Sequence, residues 1–276
     1  MGADPVLING EPVERASAAV SVFDIGFQRG YGCFEAMRSY RGVPFRMDQH
    51  LDRLAGSAAN LRIRLPAIDD IRAWCLRVAA PGDGVVRVFV TGGTDMGNPG
   101  TNSAVIVFME PLPNIPEVFR LDLIDAPWHP DGHVSELTGA KTLSYGPNLA
   151  ATLAARTRGF DDAVLIGVSG SVLEGPTFSI GWVRDGAIST PGLDANILES
   201  VTRAATLEVA RAENLEVREG SYPARDLLRA DEIFVMSTLR EVSPVVRVAD
   251  TDFLPGPVTA VLRAGFLAMV EAACIR

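Results

Sequence analysis

A chain of 276 residues is long enough for two domains or one large one around a full hydrophobic core, and 47% apolar with 21% charged residues is ordinary for a soluble globular protein. The formal net charge of −9 excludes a non-specific nucleic-acid binder, which needs a basic face, and otherwise only favours solubility. Cys33, Cys75 and Cys274 are odd in number, far apart and in no ligand-like spacing, which points to a reducing, cytoplasmic location rather than a disulfide framework.

Met1-Gly2-Ala3-Asp4-Pro5 has no basic region followed by an apolar core, so no signal peptide is expected. Val6-Leu7-Ile8 followed by Asn9-Gly10 predicts a strand entering a tight hairpin turn. The stretch from Val20 predicts a strand broken by Gly26, Gly30 and Gly32 and resumed at Cys33; glycines at this density mark either a plain turn or a close backbone approach. No Lys-Ser/Thr follows them, so this is not a nucleotide P-loop. From Cys33 onward Phe34, Ala36 and Arg38 share one strand face, where Arg38 is a sheet-edge charge or a carboxylate clamp.

Asp48 and the stripe Leu51, Leu54, Ala55, Ala58 and Leu61 predict a helix over Met47 to Leu61 with Asp48 as its cap, and Arg53 lies off the stripe, open to reading as a solvated charge. A second helix is expected over Asp70 to Val78, then a strand over Val85 to Val90 with Arg87 on the Val85/Phe89 face, a glycine-rich turn from Thr91 to Gly100, and a strand over Ala104 to Met109. The prolines of Pro111-Leu112-Pro113-Asn114-Ile115-Pro116 break helix and strand alike and mark a linker. Beyond it, strand Val118 to Ile124 opens the second half. His129 and His133 stand four apart, but Pro130 opposes the helix that would align them, and no metal site is expected.

Helix Asn148 to Arg158 and strands Ala163 to Ile166 and Phe178 to Val183 follow. A turn is expected at Arg184-Asp185-Gly186, with Ile188 to Pro191 closing the ladder. A helix entered through Leu198-Glu199-Ser200-Val201-Thr202-Arg203, strands over Leu215 to Val217, Glu232 to Met236 and Ser243 to Val248, and a last helix over Val258 to Ala273 complete the chain. No apolar run approaches the length of a membrane span.

The chemistry gathers around Lys141, the single lysine among 25 Lys plus Arg. Arginine supplies charge as well as lysine does, but only a primary amine can lose its proton and condense with an aldehyde. Either that chemistry has kept the lysine or it survives by chance. Downstream stand Glu174 at a strand end, Val201-Thr202 at a helix start and Ser237-Thr238 on a loop. Glu174 alone reads as a surface carboxylate and Thr202 as a cap, yet a helix amino end with a hydroxyl is also an anion site. An amine, a carboxylate and two such loops are what pyridoxal 5'-phosphate needs.

In this setting the chain resembles the class IV (fold type IV) pyridoxal-phosphate-dependent aminotransferases, which include branched-chain and D-amino acid transaminases, (R)-selective amine transaminases and aminodeoxychorismate lyase. The resemblance is carried by Gly32-Cys33-Phe34-Glu35, His50-Leu51-Asp52-Arg53-Leu54, Lys141-Thr142, Glu174-Gly175, Thr190-Pro191, Val201-Thr202-Arg203 and Ser237-Thr238 with Glu241. It implies an α+β, two-domain fold with mixed sheets, flanking helices and an active site at the domain interface. The smaller N-terminal domain would be 1–116, and a larger C-terminal domain, 117–276, would carry the Schiff-base lysine. It further implies Lys141 as that lysine, Glu174 at the pyridine nitrogen, and Arg53, Val201, Thr202 and Thr238 at the phosphate. Phe34, Arg38, Arg87, Met96, Tyr145, Leu239 and Arg240 would border the substrate, with Arg38, Arg87 or Arg240 holding a carboxylate. The chain departs from the family pattern at Tyr31, where Asp is common, at Ser179, where Asn is usual, and at Leu239-Arg240, where small residues are common.

The expected activity is transfer of an amino group from an amino acid to a 2-oxo acid by a homodimer, with the Met96 loop reaching the neighbouring subunit. The alternatives are aminodeoxychorismate lyase, an (R)-selective amine transaminase and, from another class, a non-catalytic α/β binding protein whose lysine is accidental.

Overall fold

The computed structural model describes residues 5–275, so most of the stretch read above for a signal peptide lies outside the described residues. The chain divides into two compact units. The first holds the residues up to Pro113, Ala140–Tyr145 and the chain end from Val270; the second holds Asn114–Gly139 and Gly146–Met269. The lysine stretch, although it follows the linker in sequence, therefore groups with the first unit.

In the first unit β1 (Val6–Ile8) and β2 (Glu11–Val13) are joined by Asn9-Gly10, whose φ angles of 51° and 87° are those of the expected two-residue hairpin turn. There follow α1 (Ile25–Arg29), β3 (Gly32–Tyr40), β4 (Val43–Pro44), α2 (Met47–Asn60), α3 (Ile68–Ala79), β5 (Gly84–Thr91) and β6 (Val105–Glu110). The strands pair antiparallel in the order β2-β1-β6-β5-β3-β4. One sheet face is apolar: Cys33 and Met37 of β3, Val86, Val88 and Val90 of β5 and Val105 and Val107 of β6 pack with Leu51, Leu54 and Ala58 of α2 and Ile71, Cys75 and Val78 of α3. Each large side chain withdrawn from water in this way contributes about 1.5–3 kcal/mol.

Two local expectations are corrected here. The segment from Val20 is not a strand: the buried Asp24 carboxylate accepts the Gly26 N–H and the Thr91 hydroxyl, each at 2.7 Å, and so caps the short helix α1, which Gly30 ends at φ 66°. Asp48 is not the cap of α2. Arg46, at φ 51°, occupies that position without a side-chain cap, and Asp48 sits in the first turn, ion-paired with Arg72.

In the second unit the elements are β7 (Phe119–Asp125), α4 (Gly146–Thr157), β8 (Asp162–Ile166), β9 (Ser179–Arg184), β10 (Ala187–Pro191), α5 (Val201–Ala212), β11 (Val217–Gly220), α6 (Ala224–Leu227), β12 (Glu232–Ser237), β13 (Glu241–Val248), β14 (Thr251–Asp252) and α7 (Pro257–Cys274), whose last residues, from Val270, group with the first unit. The sheet runs β11-β10-β9-β12-β13-β7-β8, with β14 on β13, and is mixed: β10/β11, β13/β7 and β7/β8 are parallel pairs. Ile188 to Pro191 does not close the ladder, because β11 adds a parallel strand beyond it. Ile180, Trp182, Ile233, Val235 and Val245 centre one core, and Ala151 and Ala155 of α4 pack with Ala163 and Leu165 in another.

The expectation that no apolar run nears a membrane span is corrected by α7, whose eighteen residues, at a mean hydropathy of 1.4, suffice by length and composition alone. One side of it is packed against the protein. Thr259, Leu262, Phe266 and Val270 form a buried stripe, Gly265 lies against Val209, and the Glu232 carboxylate accepts the Val258 and Thr259 N–H groups at the helix start.

Cys33 and Cys75 lie wholly in the first core, and burial, with the Glu35 charge adding to it at Cys33, pushes both thiols up to about 12. A thiol in that range is not a nucleophile near neutral pH. A thiol reagent applied to the native protein at pH 8 is expected to modify Cys274 alone, and all three cysteines only in denaturant; rapid labelling of Cys33 or Cys75 in the native state would contradict this packing.

Candidate active site

The first unit brings Lys141, Tyr145, Phe34 and Arg53 onto its frame. Lys141 is tied to α2 and β3 through its backbone: its N–H donates to Ser57 Oγ at 3.0 Å, its carbonyl accepts the Phe34 N–H at 3.0 Å, and Leu143 N–H donates to the Gly32 carbonyl at 2.9 Å. Gly32 is required there, because a Cβ would stand 2.3 Å from the Val90 carbonyl and 2.6 Å from the Leu143 side chain. The Lys141 side chain is half-buried, with Nζ 4.4 Å from the Phe34 ring centre and 3.4 Å from the Tyr145 hydroxyl. The amine is thus aimed by a fixed backbone at a mostly aromatic surface.

Arg53 projects from α2 toward Glu35 on β3. Its Nε and Nη2 donate to the two Glu35 oxygens at 2.7 and 2.8 Å, and His50 Nδ1 lies 2.8 Å from Glu35 Oε2. Glu35 is fully buried, and burial alone would raise its carboxyl; Arg53 and His50 outweigh that and hold it down at about 2. Burial lowers His50, against the opposing pull of Glu35. A two-toothed carboxylate grip fixes the plane of the guanidinium. Sequence reasoning singled out Arg53 and missed this Glu35–His50 support. The signal was present: β3 alternation puts Glu35 with Cys33 and Met37 on the core face, where a charge needs partners.

This cluster sets an acid limit. Unfolded, His50 gains a proton near 6.5 and Glu35 near 4.5, whereas in the fold His50 resists protonation and Glu35 stays ionised down to about 2. The unfolded chain therefore binds more protons, and stability falls as pH drops, first below 6.5 and then between 4.5 and 2. The Glu35 part amounts to about 3 kcal/mol at neutral pH. Urea midpoints measured from pH 7 to 3 are expected to fall, with the limb below 4.5 flattened in Glu35→Gln; a slope unchanged by that substitution would contradict it.

The remaining first-unit candidates lie on the open face of the sheet or in its loops. Arg87 Nε donates to Glu110 at 2.8 Å, the Arg38 guanidinium stacks 4.7 Å over the Tyr40 ring, and Met96 is exposed in a loop fastened by Asp95 and Asn98.

In the second unit both Glu174 oxygens lie within reach of the Leu198 N–H, at 3.2 and 3.3 Å. Ser200, not Thr202, caps α5 by accepting the Arg203 N–H, which leaves Val201 and Thr202 buried in its first turn. Arg203 anchors that end of the helix by donating to the Pro191 carbonyl and Glu219 at 2.8 and 2.7 Å. Thr238 and Leu239 ride on the turn between β12 and β13, where Ser237 Oγ accepts the Arg240 N–H and Glu241 takes φ 54°. Ser179 is buried, and its hydroxyl has no hydrogen-bond partner among the described residues.

Arg240 is committed within its own unit. Its guanidinium donates to Asp162 at 2.5 Å and to the Thr177 hydroxyl at 3.1 Å, and it lies 5.0 Å from the Phe119 ring centre and 4.6 Å from that of Phe178. Thr152 donates to the other Asp162 oxygen. These contacts account for the arginine at a position where small residues are usual.

The first unit thus holds a half-buried amine fixed by its backbone and an arginine oriented by a buried acid, and the second holds a capped helix end. Residues 32–248 match the family described as amino-transferase class IV. Among relatives, a putative branched-chain-amino-acid aminotransferase of Methanocaldococcus jannaschii is 34% identical over 88% of this chain and 87% of its own. A D-alanine aminotransferase of Listeria monocytogenes is 30% identical over 98% and 97%, and an aminodeoxychorismate lyase of Bacillus subtilis 28% over 90% and 88%. The solved branched-chain aminotransferase of the thermophilic archaeon Thermoproteus uzoniensis, with norvaline, superposes with a TM-score of 0.89 at 26% identity over 98% of this chain and 95% of that one. This chain belongs to the class IV aminotransferase family, pyridoxal-phosphate enzymes with the α+β architecture of fold type IV.

Proposed function

We propose that this chain transfers an amino group between an amino acid and a 2-oxo acid, with Lys141 as the amine that carries the cofactor. The observation that carries the reading is the sole lysine, half-buried, locked to β3 and Ser57, with Nζ over Phe34 and beside the Tyr145 hydroxyl. Pyridoxal phosphate, when bound, supplies an aldehyde to an amine and a protonated ring that draws electrons from a substrate carbon. The donor set fits it: one amine, an acid, an oriented arginine and a helix amino end.

Lys141 Nζ takes a proton from the substrate carbon and returns it, a task open to an amine and closed to a guanidinium. Glu174 would keep the ring nitrogen of the bound cofactor protonated by opposite charge. Arg53, held in plane by Glu35, would hold the phosphate, as would the groups of Val201, Thr202 and Thr238. Phe34, Met96, Tyr145 and Leu239 border the substrate, and Arg38, Arg87 or Arg240 takes its carboxylate. The enzyme works in a reducing, cytoplasmic compartment as a homodimer, and the exposed Val22, Phe23 and Phe27 give a second copy an apolar surface to cover.

The lyase is the second reading, favoured by the Bacillus subtilis relative. Turnover assayed with and without a 2-oxo acid separates the two. Product formation is expected to stop after one equivalent of enzyme unless the acceptor is present; sustained pyruvate release from aminodeoxychorismate without acceptor would overturn the transaminase reading.

A further inference from the structure

The strands that carry the site also present a face outside the first core. Alternation along β3, β5 and β6 leaves Phe34, Phe89 and Phe108 half-buried on it. They form a row. Phe34 and Phe89 stack with ring centres 5.8 Å apart and planes 14° apart, and Phe89 and Phe108 repeat this at 5.8 Å and 10°. Lys141 Nζ stands over the first ring at 4.4 Å, and the Arg15 guanidinium lies 5.8 Å from the centre of the last.

A sheet face left to water is ordinarily polar. Here three phenyl rings lie nearly parallel and half open, and Arg87 beside them is already paired with Glu110. A row of parallel rings offers a flat surface on which another ring gains stacking beyond the area it buries. Its start at the reactive amine says what that ring belongs to. A methyl side chain on a substrate reacting at Lys141 reaches Phe34 at most, whereas Phe89 and Phe108 lie one and two 5.8 Å steps farther on.

We infer that Phe89 and Phe108 are specificity-determining residues, and that the Phe34–Phe89–Phe108 row receives an aryl or arylalkyl side chain of the amino donor. The inference rests on Lys141 being the reactive amine, and it adds the substrate class to that reading.

The test uses the cofactor-loaded enzyme and follows the cofactor's absorbance in the half-reaction with alanine, leucine, phenylalanine and homophenylalanine of both hands. The specificity constant is expected to rise along the series in the accepted hand. Phe108→Ala and the milder Phe89→Leu are each expected to lower the phenylalanine-to-alanine ratio about tenfold, mainly through KM. A wild-type preference for alanine overturns the inference, as do variants that slow all donors alike. Variants that change the oligomeric mass without moving the ratio also overturn it, because the row is then a subunit contact. If no donor of either hand reacts, the transaminase reading fails and this inference with it, an outcome distinct from reaction with the wrong donors.

Discussion

Lys141→Arg is expected to lower turnover by at least about 10⁴-fold, with the fold intact. The substitution is the sharpest available because arginine is this chain's ordinary cation, standing at every other Lys/Arg position. A guanidinium would keep the positive charge over Phe34 and the backbone ties to Phe34 and Ser57, which belong to the main chain. What it cannot do is lose a proton and bond to an aldehyde carbon. Steady-state kinetics beside a circular dichroism spectrum would check this, and activity within tenfold of the wild type would mean that the lysine serves charge alone.

The second large effect is expected from the buried ion pair of the second unit. Arg240→Met leaves the Asp162 carboxylate, 2% exposed, without its cation. Breaking a buried pair from one side costs about 3–5 kcal/mol, whereas replacing both partners is often close to neutral. The urea midpoint of Arg240→Met is therefore expected to fall sharply, and that of Asp162→Asn with Arg240→Met to recover most of the loss. The turn bearing Thr238 is tied down by this arginine, so the single variant should also bind pyridoxal phosphate more weakly. A single variant as stable as the wild type, with unchanged cofactor affinity, would show that the pair fixes nothing.

Much of this was legible in the residues. Period-2 alternation placed Arg38 and Arg87 on the open face of β3 and β5, and the Asn9-Gly10 and Asp185-Gly186 turns appear with the positive φ angles their chemistry requires. The spacing of Leu51, Leu54, Ala58 and Leu61 marked the buried side of α2. What escaped depends on partners remote in sequence. Asp24 looked like a strand residue because its second acceptor is satisfied by Thr91, sixty-seven positions on. Glu35 stood in a quoted motif without a role, because its partners His50 and Arg53 are delivered to it only by α2. The ties of Arg240 to Asp162 and two phenylalanine rings were not legible, because only the sheet joins them to it. Local pattern shows which face a side chain takes, and only tertiary pairing shows what meets it there.

The central claim is that the Lys141 amine bonds to the cofactor, and mass spectrometry after borohydride treatment tests it most directly. Protein incubated with pyridoxal phosphate, reduced and digested should carry one phosphopyridoxyl increment, confined to the peptide containing Lys141. An unmodified Lys141 peptide from protein that shows a visible cofactor band, or an increment found only at the chain's α-amino group, would contradict it.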